Sequence, residues 1–183
     1  MGNATTHLPP STGGILNLDP ADGPIQPVQW TCPRQNTAVP LYPPDSDGLS
    51  GVGIQDPGNA GAGVGFSDKY CDGFASPMRA DIHFPSCYNP AVGLDDFHNN
   101  MQFPSSTGAS AAGMANCPPG WIHTPHLFYE VYWNTPLFSS RWTEGQGKSP
   151  WRLSSGDRTG YALHADFVSS LFPAHICICR GQG

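Results

Sequence analysis

Three stretches of the chain set charged or imidazole side chains at alternate positions. Arg79, Asp81 and His83 lie between apolar residues, His126 and Glu130 follow one segment later, and His164 and Asp166 come near the end. Two carboxylates in different environments, one giving a proton and one staying ionised, are what acid–base cleavage of a glycosidic bond requires. Glu130 with Asp166 or Asp157 would supply that pair, and His164 would orient one of them. A histidine two residues from a carboxylate on one strand face could also ligate a metal, as could His123 and His126 on either side of Thr124-Pro125. No metal or cofactor is assigned on this pattern. Plainer roles compete. Arg79, Asp81 and His83 would sit on the wet face of a sheet. Glu130 would form a structural ion pair with Arg79. His164 and Asp166 would brace the turn at Gly156-Asp157.

The elements that must position these groups are strands. Met78, Ala80, Ile82 and Phe84 alternate with Arg79, Asp81 and His83, the strongest strand pattern in the chain. The stretch CPPGWIHTPHLFYEVYW (117–133) opens on a Pro-Pro-Gly turn and runs into residues that favour strands. Leu127, Tyr129, Val131 and Trp133 fall on one face, and His126, Phe128, Glu130 and Tyr132 on the other. Both faces are largely apolar, which predicts a strand buried on both sides and one antiparallel sheet with Met78–Phe84. Short strands are expected at Gln29–Cys32, Met101–Phe103 and Trp151–Leu153, and a longer one at Tyr161–Val168. No helical period emerges. The expected architecture is mainly β, an antiparallel sandwich or jelly roll with long Gly/Pro-rich loops. Residues 1–26 read as a loose arm. The Gly-rich run at 58–65 lacks the Lys-Ser/Thr of a phosphate loop and reads as a surface loop.

At 183 residues the chain fits one domain, and 38% hydrophobic against 12% charged residues is unlike a disordered chain. Twenty prolines and twenty-two glycines imply many turns and few helices. A net charge of −6 without a basic patch argues against a nucleic-acid partner. No apolar run approaches a membrane span, and the first residues lack the pattern of a signal peptide. The expectation is a monomer without a nucleic-acid or membrane partner. Cys32, Cys71, Cys87 and Cys117 are dispersed through loop-rich sequence without Cys-x-x-Cys spacing, which reads as two disulfides in an oxidising compartment. Cys87 and Cys117, at the end of one strand and just before another, form the expected first pair. Cys32 and Cys71 form the second.

The segments CDGFASPMRADIHFPSCYNP (71–90), NMQFP (100–104), NCPPGWIHTPHLFYEVYWNTPLF (116–138) and SSGDRTGYALHADFV (154–168) together resemble a secreted fungal family, domain of unknown function nineteen-ninety-six. The resemblance runs from about Trp30 to Val168. By position it carries over Arg79, Cys87, Cys117, Glu130, Asp157, His164 and Asp166. It implies an extracellular protein in a cell-wall or polysaccharide setting, since members are sometimes fused to WSC carbohydrate-binding domains. A longer first half with a His-x-His motif is not found here, Tyr88 stands where the family has Trp, and SSLFPAHICICRGQG replaces its usual ending. Residues 27–168 are thus expected to be the C-terminal portion of a single β domain, with 169–183 an aberrant tail.

The expected function is action on, or binding to, a cell-wall polysaccharide. As a hydrolase it would bring Glu130, His164 and Asp166 into one cleft, with Arg79 or Asp81 at its edge. As a non-catalytic binding protein it would present Trp121, Trp142 and Trp151 as exposed platforms for sugar rings. A truncated, inactive relative is the third expectation.

Overall fold

The computed structural model describes residues 16–42, 50, 65–74, 78–106 and 115–166. The tail expected at 169–183, residues 1–15 of the expected arm and residues 58–64 of the Gly-rich run lie outside them.

Six strands form in chain order: β1 (Val28–Thr31), β2 (Met78–His83), β3 (Cys87–Tyr88), β4 (Met101–Gln102), β5 (Ile122–His123) and β6 (Phe128–Trp133). They build two three-stranded antiparallel sheets, ordered β1-β2-β6 and β4-β3-β5. The class is mainly β, as expected, and the pairing of β2 with β6 is the one the alternation predicted. Among the described residues the helical segments are 3-10 turns, Pro20–Asp22 and Thr135–Arg141.

The register fixes what each face carries. Ala80 lies opposite Trp30 on β1 and Val131 on β6, and Met78 lies opposite Trp133. Partners across an antiparallel ladder point to the same side, so Trp30, Met78, Ala80, Val131 and Trp133 share one face. Trp30, Phe66, Met78 and Ala80 form a buried cluster there, joined by Trp151, Leu153 and Leu163. Each large side chain so buried contributes about 1.5–3 kcal/mol. The other face carries Thr31 and Gln29 from β1, Arg79, Asp81 and His83 from β2, and Phe128, Glu130 and Tyr132 from β6.

Both expected disulfides form. Cys32–Cys71 closes a separation of 39 residues and joins a second buried cluster with Tyr42. Cys87–Cys117 closes 30 residues and ties the second sheet to the turn before β5.

Three expectations are corrected. β6 is exposed along its whole length because it is an edge strand with no neighbour on its outer side among the described residues. Trp151–Leu153 makes no ladder: Leu153 instead closes a turn with Asp157 and Gly156 through backbone bonds. The described part of Tyr161–Val168 is likewise not a strand. Asp157 accepts from the amides of Thr159 and Ala162, at 2.8 and 3.0 Å, and from the Thr159 hydroxyl at 2.7 Å. That side chain curls the segment into turns before the apparent alternation can pair with anything.

The turn also needs its glycine. Gly160 has φ +84° and sits where a Cβ would overlap the indole of Trp30, whose Nε1 donates to Gly160 O at 3.0 Å. Only a residue without a side chain fits that close approach.

Candidate functional site

The charged face comes first because the sequence pointed to it. Arg79 Nε donates to Asp81 Oδ1 at 2.6 Å and its Nη2 to Asp81 Oδ2 at 3.1 Å, a two-pronged contact between buried side chains. Thr31 Oγ1 adds a donor to Asp81 Oδ2 at 2.6 Å. Arg79 Nη1 reaches Glu130 Oε1 at 3.2 Å and the Tyr132 hydroxyl at 3.5 Å. Burial alone would lower the Arg79 pKa, but the Asp81 hydrogen bond, Tyr132 and the two carboxylates outweigh it and hold the value above its ordinary one. The guanidinium thus stays charged between Asp81 and Glu130. This is the structural ion pair weighed for Glu130, enlarged by Asp81. Both carboxylates are thereby engaged by one guanidinium.

The remaining catalytic candidates do not join it. Asp157 is occupied by the turn it braces. Burial would raise its pKa, yet the amides of Ala162 and Thr159 and the Thr159 hydroxyl bring it below the usual carboxylate range. His164 Nε2 lies 3.6 Å from Asp166 Oδ2, and both side chains are exposed. Their neighbour Leu163 packs into the Trp30 cluster, on the opposite face of the sheet from Arg79 and Glu130. Among the described residues neither His164 nor Asp166 makes a hydrogen bond or ion pair with Glu130 or Arg79.

That other face holds the cavities. One of about 380 Å³ is lined by Trp30, Phe66, Met78, Trp133, Phe138 and Trp151, with Arg152 contributing its one charged wall residue. A second, of about 200 Å³, is lined by Tyr70, Trp142 and Trp151 with the polar Lys69, Asp72 and Ser139. Met78, Thr135 and Trp151 line both, so the two cavities are adjacent.

The 3-10 turn Thr135–Arg141 forms much of the wall. Its proline near the start suits the first turn of a helix, and it delivers Phe138 to Trp151 at 6.1 Å between ring centroids. Trp151 meets Trp142 edge-on at 5.9 Å, and Trp142 meets Tyr70 at 4.7 Å. The Tyr70 hydroxyl donates to Ser139 O and Trp142 O, at 3.1 and 2.9 Å, and pins the loop after the turn.

Among the described residues, the buried indole N–H groups of Trp142 and Trp151 have no hydrogen-bond partner. An indole nitrogen can only donate, and a buried donor left unpaired costs about 1–3 kcal/mol. Trp142 and Trp151 are half-buried walls rather than the exposed platforms the sequence suggested. Trp121, also half-buried, lines neither cavity.

Sequence reasoning missed Trp30, Trp133 and Phe138 as cleft residues. Trp133 had a signal, because its parity places it beside Met78. Phe138 had none, since its position depends on the 3-10 turn. The sequence names His83 and His126 among the polar-face residues but does not pair them: His83 Nδ1 lies 3.2 Å from His126 Nε2, whereas the two-His metal site is weighed for His126 with His123. Among the described residues no group of three or more His, Cys, Asp or Glu side chains gathers to hold a metal.

Among protein families, the one described as Domain of unknown function (DUF1996) matches residues 2–170. The match starts well before the Trp30 at which the recognisable motifs begin. No curated protein matches the chain, and no solved structure does.

Proposed function

We propose that this chain, which belongs to the DUF1996 family, binds carbohydrate in an extracellular, cell-wall setting through the aromatic cleft. One observation carries the reading: a cleft walled by the rings of Trp30, Phe66, Trp133, Phe138, Trp142 and Trp151 also carries the polar side chains of Lys69, Asp72 and Ser139. A pyranose suits both. Its C–H face stacks on rings, and its hydroxyls hydrogen-bond to polar side chains. The cavity of about 380 Å³ is within the range of small-molecule sites.

The polar residues are divided in the same sense. The larger cavity supplies ring faces, and the smaller supplies Lys69, Asp72 and Ser139 for sugar hydroxyls. The two disulfides suit an oxidising compartment. The fungal cell-wall setting rests on the family resemblance.

A hydrolase reading has less support. Arg79 engages both carboxylates of the charged face, Asp157 is committed to its turn, and among the described residues no second carboxylate is seen to pair with Glu130 free of that guanidinium.

The test is a panel of soluble cell-wall polysaccharides and oligosaccharides in affinity electrophoresis, with tryptophan fluorescence as a second readout. Binding by the native chain is expected, weakened about tenfold or more in Trp151→Ala, as for removal of an aromatic worth roughly 1.5 kcal/mol. Trp121→Ala should bind as the native chain does. Equal binding by all three, or no binding to any glycan, would overturn the reading.

A further inference from the structure

At one end of the charged face, two imidazoles meet. His83 stands on β2, and His126 in the connection just before β6. Their facing nitrogens, His83 Nδ1 and His126 Nε2, are 3.2 Å apart, and the ring centroids are 5.2 Å apart with planes inclined by 50°. We propose that His83 and His126 chelate a divalent transition-metal ion of the kind that imidazole favours, such as Zn²⁺, Ni²⁺ or Cu²⁺, with solvent completing its coordination.

Three observations carry this. The first is the bite. Two nitrogens 3.2 Å apart, each about 2.05 Å from one ion, subtend about 100° at it, between the octahedral and tetrahedral angles. Such a chelate would place the ring centroids roughly 5 Å apart, close to the 5.2 Å seen, whereas an in-line N–H···N contact would extend them to about 5.5 Å.

The second is charge. The groups facing the pair on this side of the sheet are Arg79, Asp81 and Glu130, one cation against two carboxylates. Both carboxylates act electrostatically on His83. A metal ion would therefore enter a locally negative field.

The third is the fixed orientation of the ligand. Phe128 stacks on His83 at 5.2 Å with the planes 12° apart and fixes the ring's orientation. His126 is exposed, which leaves the ion's other positions open to solvent or a small ligand. The site uses two of the chain's seven histidines.

The full chain is titrated with Zn²⁺ by calorimetry, and its Cu²⁺ complex is examined by electron paramagnetic resonance. One saturable ion per chain is expected, with two-nitrogen coupling in the copper spectrum. His83→Ala and His126→Gln should each weaken binding about 10-fold or more, while His123→Ala leaves it unchanged. The His126→Gln variant matters most: the exposed position tolerates it, and glutamine can still hydrogen-bond to His83 but offers no imidazole. Unchanged affinity in that variant, absence of saturable binding in the native chain, or a copper spectrum without coupling to two nitrogens would overturn the proposal.

Discussion

The two faces of the β1–β2–β6 sheet differ in what engages their side chains. On one, Arg79, Asp81, Thr31 and Glu130 share contacts of 2.6–3.2 Å, although the buried Gln29 Oε1 has no partner among the described residues. On the other, Trp30 and Met78 floor an aromatic cleft with little charge. The conspicuous charges are those that hold the sheet together. The plain aromatic side, with little charge, holds the cleft for which carbohydrate binding is proposed. Chemically rich residues are therefore a poor guide to a site unless their partners are known.

The comparison breaks first at Arg79. Replacing it with alanine leaves Asp81 buried without its partner, and urea unfolding should show a loss of about 3–5 kcal/mol. A loss below roughly 1 kcal/mol would mean that the charged face is wetter than described. On the aromatic side, Gly160→Ala is next in size. It combines a positive φ with overlap on Trp30 and should cost about 1–3 kcal/mol in the same assay.

Much of the β framework was legible because its signals are local. The alternation of Met78–Phe84 and the β-favouring run to Trp133 gave two strands and their pairing. Dispersed cysteines flanking strands gave both disulfides. The failures share another cause. The alternation at Tyr161–Val168 is real as a pattern, but Asp157 captures the amides that a ladder would need, and Gly160 must turn to meet Trp30. β6 looks like an interior strand because both of its faces are apolar, yet its place at the sheet edge is set by topology. The cleft was only half visible. Trp142 and Trp151 were candidates, but the 3-10 turn that brings Phe138 against them has no periodic signature over seven residues.

Asp157 offers a smaller effect with a defined pH dependence. Its carboxyl is lowered in the folded chain, so the unfolded chain binds the proton more readily. Its contribution is present above the unfolded value of about 3.9 and is lost as pH falls through the folded value. Asp157→Asn should cost about 1–2 kcal/mol at neutral pH and flatten the acid limb of a stability–pH curve. A variant as stable as the native chain at pH 7 would show that the turn does not depend on the charge.

Glu130→Gln is the smallest. Its side chain is 36% exposed, so its ion pair with Arg79 is worth about 1 kcal/mol or less. Thermal unfolding should shift only slightly. A large destabilisation would place Glu130 inside the buried network with Asp81.

The central claim, that the aromatic face and not the charged face receives carbohydrate, is tested most directly by one measurement. Glycan affinity is compared for the native chain, Glu130→Gln and a Trp142→Ala, Trp151→Ala double variant, which removes both indole walls of the cleft. Affinity unchanged in Glu130→Gln and reduced about tenfold or more in the double variant is the expected result. Affinity lost in Glu130→Gln and retained in the double variant would contradict the account.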